Sequence, residues 1–191
     1  MNVTAALEFI RVRAWRALFL VWALHLSGGA YAQIAPPDPG ALLSRLPPSW
    51  RDDNGEILSF SSLLGQPIFI TMAYTSCHRT CPTTISRLTE IQRDLDIRGI
   101  PAQFLIVSYD PSNDNPAAWR RYRAGHGLVR SNWHFLSGTS RDTERLAGLL
   151  GFDYWRDGEH VMHDLRIVAL GGDGAWRGVV DSAHTDWQGL M

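Results

Sequence analysis

Lysine is missing from this chain: all 18 of its Lys or Arg side chains are arginine. Without a lysine amine there is no Schiff-base nucleophile and no Walker-type phosphate loop. Neither G-x-G-x-x-G nor G-x-S-x-G occurs, so the chain lacks the usual dinucleotide fingerprint and the hydrolase nucleophile elbow. A strong charge of either sign is also missing, with a formal net charge of −1 over 191 residues. Outside the N-terminal segment no basic run is longer than Arg120-Arg121, which argues against a nucleic-acid partner. No internal repeat is present, and no proline follows Pro116. Cysteine is almost absent. The chain has two, and both lie in one short stretch, Cys77-His78-Arg79-Thr80-Cys81, with Pro82 next.

The N-terminus predicts export. Arg11, Arg13 and Arg16 form a basic start, Ala17 to Leu26 is apolar, and Ala30-Tyr31-Ala32 is a small-x-small cleavage signal before Gln33. The apolar run falls short of the ~20 residues of a membrane span. A cleaved signal peptide over 1–32 is the expectation, and a retained membrane anchor is the alternative. No cysteine lies near the cleavage point, which argues against a lipid anchor. Residues 33–49 are proline-rich (APPDPG, LPPS) and read as a linker. The remaining 50–191 are enough for one domain with its own core. Removing 1–32, with three arginines and one glutamate, leaves a charge of about −3.

In that domain the pattern predicts alternating strands and helices. Pro67 to Tyr74 and Ala102 to Tyr109 are apolar runs of strand length. Between them Ile85, Leu88, Ile91 and Leu95 fall on one helical face, with Pro82 in the first turn and Gly99 closing the helix. Asp110-Pro111-Ser112-Asn113-Asp114 is a turn, and Asp114 or Asn115 caps a helix from Pro116 to about Ala124. A strand at Trp133–Leu136 precedes a helix over Ser140–Leu150, capped by Thr139 or Ser140. Strands at Leu165–Leu170 and Ala175–Val180 flank a Gly171-Gly172-Asp173-Gly174 turn. A short strand is expected around Glu56–Phe60, and a short helix near Asp186. The order resembles a thioredoxin-like α/β fold: a central mixed sheet flanked by helices, ending in a hairpin.

Two thiols this close together, in a chain read as exported, close too small a loop to stabilise it much. They are better suited to forming a reversible disulfide or to gripping a soft metal ion. They sit at the carboxyl end of a strand and open a helix, where the helix dipole favours thiolate. Of the seven histidines at 25, 78, 126, 134, 160, 163 and 184, His163 stands before a strand whose leading loop faces the cysteine loop in such a topology. It is the candidate third ligand beside Cys77 and Cys81, in a trigonal or tetrahedral site for copper. His160 could replace it or join it, and His78 reads as a loop residue. His126, His134 and His184 read as ordinary surface or core histidines. Zinc through Cys77, Cys81, His160 and His163 is a further option. A thiol-disulfide oxidoreductase using Cys77 and Cys81 is the other class of function. Its common spacing is C-x-x-C, however, and thioredoxin-type reductases resemble one another in a cis-proline before the facing strand, a position without proline here.

Taken together these segments resemble the Sco/SenC family of copper chaperones. Tyr74-Thr75-Ser76-Cys77, three residues, then Cys81-Pro82-Thr83-Thr84 is similar to the family's metal-binding loop. Asp110-Pro111 with Asp114 and Pro116 is similar to its second motif, and His163 falls where the family places its ligand histidine. The resemblance implies copper, as Cu(I) or Cu(II), on Cys77, Cys81 and His163. It also implies a location in the periplasm or on the outer face of the inner membrane. The implied partners are a cytochrome c oxidase subunit carrying the CuA centre, or another copper protein, and other copper carriers. The implied task is copper delivery to that centre or reduction of its cysteines, not small-molecule catalysis. His78 stands where the family commonly has proline, and Asp164 where it usually has serine.

Overall fold

The computed structural model describes residues 50–77, 80–158, 160–182 and 185–190. The expected signal peptide and linker, together with His25, His78 and His184, lie outside the described residues. Among the described residues no helix is long and apolar enough to cross a membrane.

The two apolar runs are the centre of the molecule. Ile68–Ala73 (β1) is buried at every position, and Gln103–Ser108 (β2) at all but its first. Strands buried on both faces need a cover on each side, and a right-handed crossover supplies it while making neighbours parallel. The crossover from β1 to β2 is the helix Thr80–Ile97 (α1), whose Ile85, Leu88, Ile91 and Leu95 are buried as their spacing predicts. The next is Pro116–Gly125 (α2), leading to Trp133–Leu136 (β3). Pro116 opens α2, and the Asn115 side chain accepts the N–H of Ala118, so Asn115 is the cap. Ser140–Leu150 (α3) follows, capped by the Thr139 side chain and closed by Gly151 at φ 69°. Tyr154–Asp157 (β4) and His160–His163 (β5) then form a separate antiparallel ribbon. Ile167–Leu170 (β6) and Trp176–Val180 (β7) return to the main sheet.

The sheet runs β3-β2-β1-β6-β7. β1, β2 and β3 are parallel, while β6 and β7 are antiparallel to their neighbours. This is the mixed sheet, with its terminal hairpin, that the sequence predicts. The register places Phe69 beside Phe104 and Phe104 beside Trp133. Their rings stack at 5.4 and 5.1 Å between centroids, with Trp187 edge-on to Phe69. Each such ring, fully buried, stabilises the fold by about 1.5–3 kcal/mol.

Two local readings need correction, and one stretch without an assigned element proves to be structured. Glu56–Phe60 is not a strand. Ile57 makes one isolated bridge to Arg51, and Phe60–Leu63 is a 3-10 turn in which the Ser62 hydroxyl donates to the Ser59 carbonyl. Serine hydroxyls compete with a strand ladder in this way. The segment from Tyr154 to His163, to which the sequence pattern assigns no element, forms the β4–β5 ribbon. The strand expected from Leu165 starts two residues later, at Ile167.

The topology determines where chemistry can occur. β1 and β2 end on the same edge of the sheet. β6 is antiparallel to β1 and pairs Ile167 with Thr71, so its first residue lies at that edge too. The Thr71 hydroxyl donates to the Arg166 carbonyl at 2.7 Å and fixes the approach. The ribbon that precedes β6 therefore overhangs the loop leaving β1, which carries the cysteines.

Candidate metal centre

Past Ala73 the chain turns, and the Cys77 N–H donates to the Tyr74 carbonyl at 3.1 Å. Cys77 is 6% exposed and Cys81, in the first turn of α1, is fully buried. The Cys77 sulfur accepts the backbone N–H of Cys81 at 3.4 Å. It thus does what a capping oxygen does at other helix starts, satisfying a donor that the first turn leaves unpaired.

His163 reaches them from the last position of β5. Its Nε2 lies 3.4 Å from the Cys81 sulfur and 3.7 Å from the Cys77 sulfur. The three donor atoms fall within 4.8 Å of one another and form the one group of its kind among the described residues. The other ring nitrogen, Nδ1, is 2.8 Å from the Asp164 carbonyl oxygen. A carbonyl only accepts, so Nδ1 carries the proton and Nε2 presents its lone pair to the sulfurs. A metal-ligating imidazole is commonly oriented in this way.

His160 is not part of the group. It lies three residues before His163 in an extended strand, and side chains alternate faces, so it points to the opposite side of the ribbon. The four-ligand zinc arrangement is therefore not assembled. His134 is in β3 on a Gln103 oxygen at 2.9 Å, and His126 caps α2, stacked on Tyr122. Both are the ordinary histidines that the sequence indicates.

Aromatic rings enclose the imidazole. Tyr109 tilts against it at 4.8 Å between centroids, Tyr74 meets it edge-on at 6.0 Å, and Tyr154 packs on Tyr109 at 4.9 Å. Tyr74 borders the cysteine motif, but nothing in the sequence marked Tyr109 or Tyr154 as neighbours of His163. Their rings narrow the access of water to the three donors. Burial, followed by the nearby Asp164 and Cys81, pushes the Tyr109 hydroxyl well above its usual range.

The second motif fastens the cysteine loop. Asp114, 1% exposed, accepts the Thr75 N–H at 2.9 Å, the Thr75 hydroxyl at 2.6 Å and the Ser108 hydroxyl at 2.5 Å. Burial raises its carboxyl pKa, although the hydrogen bonds from Ser108 and Thr75 work the other way. Asp110 shapes the turn by accepting from Asn113 at 2.7 Å, and it holds Arg156 of β4 at 2.7 Å. Burial alone would raise the Asp110 pKa, but the hydrogen bonds from Asn113 and Arg156 outweigh it and set it below the ordinary value. One aspartate thus secures the loop that carries the cysteines, and the other secures the ribbon that carries the histidine.

The electrostatics of the thiols differ from the expectation of an activated thiolate. Contact with the Cys77 sulfur, then burial, push the Cys81 thiol far above the normal cysteine range. A backbone hydrogen bond with Tyr74 lowers it, but two adjacent buried sulfurs cannot both hold negative charge unaided. A cation between them removes that repulsion and displaces the proton. Two soft sulfurs and an imidazole nitrogen, with short reach and little water, suit a soft ion such as Cu(I) in a trigonal arrangement.

Comparison with known proteins agrees with this architecture. Over 148 residues the chain is 27% identical to the SCO1 protein homolog of Bacillus subtilis (strain 168), covering 73% of this chain and 77% of that one. The structure of Bradyrhizobium japonicum ScoI with copper bound shares the fold at a TM-score of 0.61 and 23% identity, over 74% of this chain and 91% of that one. BsSco has been described with a disulfide switch and as a member of the Sco family of cytochrome c oxidase assembly proteins. It shares the fold at a TM-score of 0.64 and 23% identity, over 79% and 88%. The family model described as SCO1/SenC matches residues 49–189, a span that takes in both cysteines, the aspartate turn and His163, and this chain therefore belongs to the SCO1/SenC family.

Proposed function

We propose that this chain is an exported copper carrier that holds one copper ion on Cys77, Cys81 and His163. Its role is to hand the ion to the CuA site of cytochrome c oxidase or to another copper protein. The observation that carries the reading is the convergence of both sulfurs on a His163 Nε2 whose lone pair is free because Nδ1 is committed to Asp164. Copper in this reading is cargo, and the chain's part is to select, shield and release it. The sulfurs select for softness, the tyrosines limit water, and the ribbon bearing His163 supplies the third donor. Family membership and the copper-bound relative support copper over zinc. The basic-apolar-small pattern of residues 11–32 supports export to the periplasm, with a retained anchor as the alternative outcome.

Competition between the full chain and bicinchoninate for Cu(I) tests this. One ion per chain is expected. His163→Ala should weaken binding by more than the roughly hundredfold that loss of a supporting residue can cost. Binding unchanged by His163→Ala, or surviving Cys77→Ser with Cys81→Ser, would overturn the assignment.

A second reading rests on the contact between the two thiols. In losing two electrons and two protons together, Cys77 and Cys81 would form a disulfide and reduce a disulfide of the partner's copper site. The burial of Cys81 weighs against attack on an outside disulfide, because the attacking sulfur must be reached. Turnover of a partner-derived disulfide by the His163→Ala chain, without copper, would favour this reading over the carrier.

A further inference from the structure

We propose a second, outward-facing site for a soft monovalent cation on the β4–β5 ribbon, formed by His160 and Met162 with Trp155 beside them. The register pairs Trp155 with Met162 and Asp157 with His160. Strand alternation puts Val161 and His163 on one face of β5 and His160 and Met162 on the other, with His160 exposed and Met162 half-buried. Along β4, Tyr154 packs on Tyr109 and Arg156 reaches Asp110, which leaves Trp155 and Asp157 on the outer side. The four outward residues therefore share one face of a two-stranded patch.

Their chemistry is specific. Met162 and His160 stand two apart on one strand, with Cβ atoms about 6.5–7 Å from each other, a gap that two long side chains can close on one ion. A thioether prefers Cu(I) to hard cations, and an imidazole also suits copper. Directly across from Met162, Trp155 offers an indole face that attracts a cation. Asp157, across from His160, is the closest carboxylate in register to offset the charge.

None of this is needed by the fold. Trp155 is 61% exposed, a poor use of so large an apolar ring in packing. His160 is exposed, and among the described residues its ring meets no hydrogen-bond or ion-pair partner. Neutral donors at the surface hold Cu(I) less firmly than two buried sulfurs and an imidazole, so such a site exchanges its ion readily. It lies on the outside of the ribbon whose inner face carries His163. It does not depend on the thiol site binding copper.

The test uses the full chain carrying Cys77→Ser and Cys81→Ser, titrated with Ag(I) as a redox-silent stand-in for Cu(I). NMR follows the methionine methyl and histidine ring signals, and fluorescence follows tryptophan. The expected result is saturation at one equivalent, with the Met162 methyl and His160 ring protons shifting and Trp155 emission quenched. Adding His160→Ala or Met162→Leu should weaken binding by more than about a hundredfold, beyond the effect of a supporting residue. In the chain with both cysteines intact, the same signals should respond to a second equivalent, which keeps the test valid if the double substitution fails to fold. Unmoved Met162 and His160 signals, or silver settling on other histidines, overturns the site. Because the thiol site is followed separately by bicinchoninate competition, either site can fail while the other stands.

Discussion

Asp114→Ala separates a carboxylate that organises the cysteine loop from one that merely fills space. The carboxylate accepts three hydrogen bonds, from the Thr75 N–H, the Thr75 hydroxyl and the Ser108 hydroxyl. A buried donor left without a partner costs about 1–3 kcal/mol. Ser108 is fully buried and bears the full cost, whereas Thr75 is half-buried and water recovers part of its loss. Relief of the desolvation that raises the Asp114 pKa offsets some of the total. The net expectation is a loss of about 2–4 kcal/mol of unfolding free energy, or roughly 4–16 °C in Tm for a domain of this size. Urea unfolding of the full chain measures it. Amide exchange at Thr75 should quicken, and Cu(I) affinity should fall because Thr75 leads directly to Cys77. Asp114→Asn keeps one acceptor oxygen and should fall between the two. A change under ~1 kcal/mol, with Thr75 protection and copper affinity intact, would refute the assignment of Asp114 as the loop's anchor.

Arg156→Ala frees the ribbon from Asp110. Because the guanidinium is half-exposed, it should cost only about 0.5–1 kcal/mol of stability, yet lower Cu(I) affinity measurably in the bicinchoninate assay. The folded-state pKa of Asp110 lies below its unfolded value, so its stabilisation is present above the ordinary carboxylate pKa near ~3.9 and is lost as pH falls through the lower folded value. Acid titration of stability should show that loss, and Arg156→Ala should reduce it; an unchanged acid limb would count against the pair. Asp114 has the opposite sign, since its raised pKa makes it a source of stability lost as pH rises through the folded value. Gly138→Ala would put a Cβ 2.8 Å from the buried Trp50 ring, and overpacking of this kind costs about 1–3 kcal/mol. An unshifted denaturation midpoint would mean that Trp50 has room to move.

The parts of the fold that were legible are those where local pattern and tertiary role coincide. β1 and β2 are continuous apolar runs because both faces are covered, and α1 shows its helical period because one face is. The Glu56–Phe60 stretch has the length and apolar content of a short strand, but it has one bridge partner and serines that bend it into a turn. The β4–β5 ribbon was not legible because it is stabilised from outside itself. Three of the four β4 residues are exposed, so no apolar alternation announces it. It is held by Tyr154 on Tyr109 and by Arg156 on Asp110, both of them contacts far apart in sequence. The site was half legible for the same reason. Spacing singled out the cysteines, and order along the chain singled out His163. Setting His160 aside required the strand register. The raised pKa of Cys81 required the positions of two sulfurs and the burial around them, which outweigh the dipole of a helix start.

The ligands of the inner site come from stretches of chain made at different times. Cys81 and His163 are 82 residues apart, with two strands of the main sheet and two helices between them. An unfolded chain can offer copper only a local thiol pair, whereas the folded chain offers the histidine as well. A bound ion would therefore act as a removable cross-link that ties the late ribbon to the early loop. It would stabilise the native state only by the difference between three-donor and two-donor affinity. Loaded and empty chains should then differ most in the opening of β4–β5 and least in β1 and β2. In the carrier role proposed here, handing over the ion would unfasten the ribbon, and the empty form would be recognisable by its mobility.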